Sequence, residues 1–421
     1  MVNYSGMKLS LTSSPWTLVW IPLGLMLLAL FAGDPNLVQH LLALWSSPTQ
    51  LTHDFIAIYG SGASLMNAGL LMLLNLFILS LAKVEMTGFV HATLFTVLGF
   101  SFIGITPINS LPLFIGAWIY DQFSELEFTN IIVVVMMGTS LAPVVNHLAG
   151  WIELGVWRYG LALVGGVLCG IYMVPMTKLV FPWHNGFNLY NVGFTTGLMA
   201  VVVQVLLISV GHGAQRVVIL STEFSWALAA SVWGTVIGFG LIALSHGGFS
   251  RSNWIALCRH SGKSPSNFWD GHPQGLIVLN MALLGALSLV IVHALGVVVN
   301  GPILAALFSL IGFGAFGKHP ANVWAPIIGS TLLALMLEKS IQNAGVLSII
   351  LFTSCLAPMT AHFGWGWAMM AGALHVLLAG ALAELHGGLN LYNNGFTAGV
   401  VATLLLQTAL ILRKDLNPTK K

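Results

Sequence analysis

Apolar runs long enough to cross a bilayer alternate with short polar stretches along almost the whole chain. A hydrocarbon core of about 30 Å needs about 20 residues of helix. The first half carries apolar segments near 16–32, 61–82, 88–106, 110–121, 128–147, 155–180 and 186–211. The second half carries them near 224–245, 274–298, 302–317, 322–337, 345–363, 366–385 and 390–412. Each segment is predicted to be a helix, seven to a half. Segments 110–121 and 322–337 are short, and each follows a Pro-x-Asn break at Pro107 or Pro320. Those two are candidate half-helices.

The pattern is written twice. HNGFNLYNVGFTTG at 184–197 lies over HGGLNLYNNGFTAG at 386–399, identical at ten of fourteen positions. LFTVLGFSFIGITPINSLPLFIG at 94–116 lies over LFSLIGFGAFGKHPANVWAPIIG at 307–329. That alignment pairs Pro107 and Asn109 with Pro320 and Asn322, and its spacing of 213 also pairs Gly62 with Gly275 and Asn67 with Asn280. LAPVVNH at 141–147 pairs with LAPMTAH at 356–362, which places His147 over His362. Four colinear blocks in unchanged order point to a duplication with halves 1–215 and 216–421.

An odd number of crossings per half makes the halves inverted, and charge tests this. With all fourteen segments crossing, one side carries Lys8, Lys83, Lys178, Arg251, Arg259, Lys263, Lys318, Arg413, Lys414, Lys420 and Lys421; the other carries Arg158, Arg216 and Lys339. Basic residues accumulate on the cytoplasmic side, so both termini are expected in the cytoplasm. Making one short segment per half re-entrant would mix the two sets, which favours odd parity. The first apolar run has no clear cleavage site and reads as a retained helix.

Composition narrows the class. Only 6% of the 421 residues are charged, against about 25% in a soluble domain, and 57% are hydrophobic. The chain is therefore expected to be an all-α polytopic protein of the inner (plasma) membrane, in contact with the lipid bilayer. A net charge of +2 gives no sign of nucleic-acid binding. Cys169, Cys258 and Cys355 form no metal-ligand spacing, and no HExxH occurs, so neither a metal nor a cofactor is expected.

Inverted repeats place a substrate site at their interface, on broken helices. The repeated motif supplies Asn188, Tyr190, Asn191 and Thr195, matched by Asn390, Tyr392, Asn393 and Thr397. On one continuous helix Asn188, Asn191 and Thr195 would share a face of amides and hydroxyls. Such polarity at membrane depth is tolerated only inside protein or beside a water-filled cavity. The alternative is packing: Gly193 and Gly197 are spaced for close helix contact, and interhelical Asn can be glue. Asn67 with Asn280, Asn109 with Asn322, and His147 with His362 complete the candidate pathway. The histidines and paired asparagines have the same bland alternative in packing and capping. The scattered Trp and Phe residues read as interfacial belts.

Gly186-Phe187-Asn188 with Gly193 resembles the G-[FY]-N-x4-G pattern of urea transporters, and Gly388-Leu389-Asn390 with Gly395 keeps its spacing. The stretch GASLMNAGLLMLL at 62–74 looks like the apolar Asn-containing helix before their first pore segment. The likeness covers short motifs in both halves. It implies two inverted repeats around one pore per subunit and a homo-oligomer, a trimer in that family, with a dimer as the other option. Where that family has Asn-Asn-Pro, this chain has Asn67-Ala68-Gly69, and it has no matched glutamate pair. The doubled NLYN-x-GFT signature is also similar to an uncharacterised family of bacterial membrane proteins.

These observations lead to a channel or facilitator for a small neutral polar solute, urea-like, with the pathway between two inverted repeats. Few buried charges speak against ion binding and proton coupling. An ion-coupled secondary transporter is the alternative, since broken-helix carbonyls could hold Na⁺ without a carboxylate. No nucleophile or metal set supports an enzyme; a scaffold or receptor is the remaining class.

Overall fold

The computed structural model describes residue 11 and residues 14–46 and 54–415. Lys8, Lys420 and Lys421 of the charge count lie outside the described residues. The first half forms α1 (Trp20–Phe31), α2 (Leu37–Ser46), α3 (Phe55–Leu81), α4 (Gly88–Phe100), α5 (Pro107–Asp121), α6 (Phe128–Gly138), α7 (Ala142–Ala149), α8 (Trp157–His184) and α9 (Asn191–Ser209). The second forms α10 (Trp226–His246), α11 (Arg251–Arg259), α12 (Gln274–Ala294), α13 (Gly301–Phe313), α14 (Pro320–Met336), α15 (Ala344–Phe352), α16 (Pro358–Phe363), α17 (Trp365–Leu385) and α18 (Asn393–Asp415). Among the described residues, eight helices are long and apolar enough to cross a membrane. With so few charges, the chain is a multi-pass membrane protein.

All fourteen predicted segments are helical. The short helices α2 and α11 are additions, too brief to register as membrane segments. Ser250 caps α11, accepting the Asn253 N–H at 3.0 Å. The long α3 is bent at Gly60, whose φ of 80° suits a residue without a side chain.

At the centre α4 and α13 pack antiparallel. Gly99 faces Ala305, Gly312 faces Ala92, and the Phe95 and Phe308 rings lie 6.4 Å apart between them. Each helix ends in a buried turn and is followed by a second short helix, α5 or α14. Proline at the first helical position starts both; Thr106 and Asn109 form a capping box, and the His319 N–H donates to the Asn322 side chain at 3.0 Å. The turns are held in the same way. Asn67 Nδ2 donates to the Ser101 and Ile105 carbonyls at 2.8 and 3.0 Å, while Asn280 Nδ2 donates to Gly314 and Lys318 at 2.7 and 2.8 Å.

The short helices form hairpins. The start of α4 (Phe89, Val90) and the start of α6 (Thr129, Val133) line one cavity, so α5 brings the chain back to the end of the molecule where α4 began. Pro302 of α13 and Val346 of α15 likewise line one cavity.

A third break lies between α6 and α7 and between α15 and α16. Both are 3₁₀ turns, Thr139–Leu141 and Thr353–Leu356. In a 3₁₀ turn a carbonyl accepts from the residue three further on. Three residues after Ser140 stands Pro143, and three after Cys355 stands Pro358; proline has no N–H to give. Those two carbonyls accept from the opposite half instead. Leu391 N–H donates to Ser140, and Leu189 N–H donates to Cys355, both at 3.0 Å. The proline breaks thus dock each repeated motif onto the other half.

Candidate functional site

Both copies of the motif begin at a helix end, pass through a few residues of turn and irregular backbone, and start a new helix. The single helical face expected for Asn188, Asn191 and Thr195 is therefore absent, because Asn188 precedes α9, which begins at Asn191. Asn188 instead works as a turn residue. Its Oδ1 accepts the Tyr190 N–H at 2.8 Å, and its Nδ2 donates to the Gly395 carbonyl at 3.1 Å. The two helix starts meet at Gly193 and Gly395, where a Cβ on Gly395 would stand 2.7 Å from the Gly193 Cα. No other residue permits that approach. The Tyr190 and Tyr392 rings lie 4.8 Å apart beside it.

Most predicted site residues satisfy their own half. Asn191 pairs with His184 (2.9 Å) and with the Thr177 carbonyl (3.3 Å). Asn393 pairs with His386 (3.1 Å) and with the Ala379 carbonyl (2.8 Å). The Thr195 and Thr397 hydroxyls bond back to the Asn191 and Asn393 carbonyls. Asn67 also accepts from the Trp45 indole at 3.0 Å, and Asn109 reaches Asn146 at 3.3 Å. Asn322 donates to the Gly317 carbonyl at 2.9 Å. His147 meets the His212 carbonyl at 2.9 Å, and the His362 ring packs on Phe187 at 5.1 Å. These groups hold turns and helix ends in place.

Asn390 differs. Its Oδ1 accepts from the Tyr392 N–H and the Thr196 hydroxyl, both at 3.0 Å. Its Nδ2 is buried with no protein partner, as is the Oδ1 of nearby Asn394. Both residues line a cavity of about 350 Å³ that opens past Arg216 and Asn343 and reaches Phe100, Phe352 and Gly388. Asp54 also lines it, accepting from the Ile56 and Ser221 N–H groups at 3.0 and 2.9 Å. Burial pushes the Asp54 carboxyl above its ordinary value, and those backbone donors work against the rise.

A second cavity, of about 440 Å³, is lined by Phe89, Asn130 and Val133, which stand 213 residues before Pro302, Asn343 and Val346 of the first. It goes no deeper. Phe89 is backed by Phe316, ring to ring at 5.4 Å. Gly186, which matches Gly388, is covered: its carbonyl accepts the Ser264 N–H at 3.1 Å, and the Lys263 Nζ stands 4.7 Å over the Phe187 ring. In that covering segment burial lowers His260 and His272 below the ordinary imidazole value, and His260 lowers His272 further.

Lys318 lines neither cavity and is wholly buried. Its Nζ donates to the Tyr190 hydroxyl and, at 2.8 Å, to the Ser354 hydroxyl. It is not the surface charge that the side count assumed, because the turn after α13 is inside the protein. Sequence reasoning missed it, along with Asn394 and Ser354. One signal was present: Lys318, over Ile105, is the single lysine, arginine, aspartate or glutamate in either copy of the 94–116 and 307–329 block.

Residues 34–209 and 248–411, which include both motifs and both hairpins, match the family described as "Protein of unknown function (DUF1576)". The chain belongs to that family. No curated protein and no solved structure matches this DUF1576 chain.

Proposed function

We infer that the chain is a membrane transporter for a small polar solute, carried between two inverted repeats. The observation that carries this reading is the pair of buried, partnerless groups on two residues that line the first cavity, Asn390 Nδ2 and Asn394 Oδ1. A buried donor or acceptor without a partner costs about 1–3 kcal/mol. A solute offering one acceptor and one donor recovers that cost.

Inversion is supported by three matched features: the antiparallel α4 and α13, the carbonyl clasps of Asn67 and Asn280, and two cavities lined by matched residues. A hairpin that leaves on the side it entered preserves odd parity. With Lys318 moved inside, the charge bias becomes ten to three and still favours cytoplasmic termini in the inner membrane.

Gating is supported by the asymmetry. Gly388 and Asn390 line an open cavity, whereas Gly186 lies under Ser264. Exchange of these two arrangements would move the opening from one side to the other, as alternating access requires. An open channel for a neutral solute such as urea is the second reading, favoured by the uncharged amides at the cavity floor. The reading gives the chain no catalytic role.

The test is solute flux in liposomes carrying the purified protein, compared with Asn390→Asp. That substitution keeps the acceptor for Tyr392 and removes the free donor. Saturable flux that Asn390→Asp abolishes supports the transporter. Non-saturating flux at zero ion gradient supports the channel, and no flux of any small polar solute rejects both.

A further inference from the structure

We propose that the transported solute is a small carboxylate bearing one O–H or N–H donor, and that Lys318 and the start of α18 recognise its negative charge. This rests on the transport reading.

Lys318 is costly where it stands. A buried ammonium needs an opposite charge or full hydrogen bonding to offset its lost hydration. Its Nζ has two hydroxyl partners, Tyr190 and Ser354, and lies 4.4 and 5.0 Å over the rings of Tyr190 and Phe313. The ion pairs found among the described residues are His40 with Asp34 and Arg216 with Glu384, so neither neutralises it. The fold does not need a charge there. Only the Lys318 carbonyl is used by Asn280, just as the Ile105 carbonyl is used by Asn67.

The cavity floor has the same bias. Asn393 and Asn394 open α18; the Gly395 and Phe396 N–H groups that follow bond to the Tyr392 carbonyl, which leaves the first two N–H groups of the helix to receive an anion. The partnerless Nδ2 of Asn390, 1% exposed, adds a donor at the same place. Arg216 stands at the mouth, held by the exposed Glu384 at 3.2 Å. Asp54 is the opposing charge in the cavity wall, and its oxygens are engaged by backbone N–H groups. The Asn394 Oδ1 remains an acceptor, which calls for one donor on the solute.

Phe352 lines the cavity, and Tyr190 packs behind it at 6.0 Å with Lys318 on its hydroxyl. The carboxylate meets Asn390 and the α18 start first. When Tyr190 moves aside, Lys318 exchanges the tyrosine hydroxyl for a carboxylate oxygen. No bond is made or broken.

The experiment uses the full chain with glycolate, lactate and pyruvate as probes, and with glycolamide and lactamide as their neutral analogues. Thermal stabilisation is read in detergent at matched ionic strength, and uptake is read in liposomes at clamped potential. The wild type is expected to be stabilised by the hydroxy-acids and to take them up, with little response to the amides. Lys318→Met should weaken both effects by roughly tenfold or more, and Lys318→Arg should restore part of them. Where Lys318→Met does not fold, Asn390→Asp reports instead, with a loss of carboxylate binding of similar size. Equal response to acid and amide, or unchanged carboxylate uptake in a folded Lys318→Met, overturns the proposal and leaves the transport reading standing. Movement of neither acid nor amide counts against both.

Discussion

Asn188 and Asn390 hold matching places in the two halves, yet only Asn188 donates its side-chain N–H to the protein, to the Gly395 carbonyl at 3.1 Å. The pair therefore separates a structural role from the proposed solute-binding one. Asn188→Ala removes that bond and the turn contact to Tyr190, so it is expected to lower stability by roughly 1–3 kcal/mol. Asn390→Asp should change thermal stability less and flux more. A differential melting measurement on the two variants in detergent, set beside flux, checks the split.

Tyr190→Phe removes one of two hydroxyl acceptors from Lys318. The ammonium is then left with Ser354. The variant should lose about 1–3 kcal/mol relative to wild type, and Ser354→Ala should behave alike. Combining either change with Lys318→Met should recover part of the loss, because the uncompensated charge is gone. A double-mutant cycle read by unfolding tests this; additive losses would mean that the lysine is not held by these hydroxyls.

Asn67 makes three hydrogen bonds, to two carbonyls of the first hairpin turn and from Trp45, while the Asn280 Oδ1 has no partner. Asn67→Ala should consequently destabilise more than Asn280→Ala, each lost buried partner costing about 1–3 kcal/mol. Equal shifts in melting temperature would contradict the unequal clasps.

The segment over Gly186 should loosen in acid. His260 and His272 both lie below the ordinary imidazole value, chiefly through burial. Their neutral forms are favoured in the folded state, so their contribution is present above an unfolded value of about 6.5 and falls as pH drops through it. His319 also faces them, donating from Nε2 to the His260 carbonyl at 2.9 Å, and Lys263 and Asp270 lie in the same segment. Hydrogen exchange over 260–268, corrected for intrinsic rates, should quicken between about pH 7.5 and 5.5. His272→Gln should flatten that dependence.

Much of the fold was legible because glycine, proline and asparagine repeat at one spacing. Asn67 and Asn280 aligned in the sequence, and in the structure they clasp matching turns. The proline breaks were legible too, but not their consequence, since which carbonyls lose a donor depends on the 3₁₀ geometry around Pro143 and Pro358. Lys318 was misplaced because a Gly-Lys-His-Pro stretch between apolar runs looks like any exposed loop. Asn188 was set on a helix face because nothing in NLYN marks the non-helical residues before α9. The difference between Asn188 and Asn390 was not legible at all. It depends on what lies across the interface, a carbonyl for one and a cavity for the other.

The most direct test is sided labelling of matched cavity positions. Asn130 and Asn343 stand at the two mouths. Each is changed to cysteine in a background where the partly exposed Cys258 is serine. In sealed vesicles, a membrane-impermeant thiol reagent should reach Asn343→Cys from one side and Asn130→Cys only from the other. Labelling of Asn130→Cys and Asn343→Cys from the same side would contradict the inverted, two-sided route.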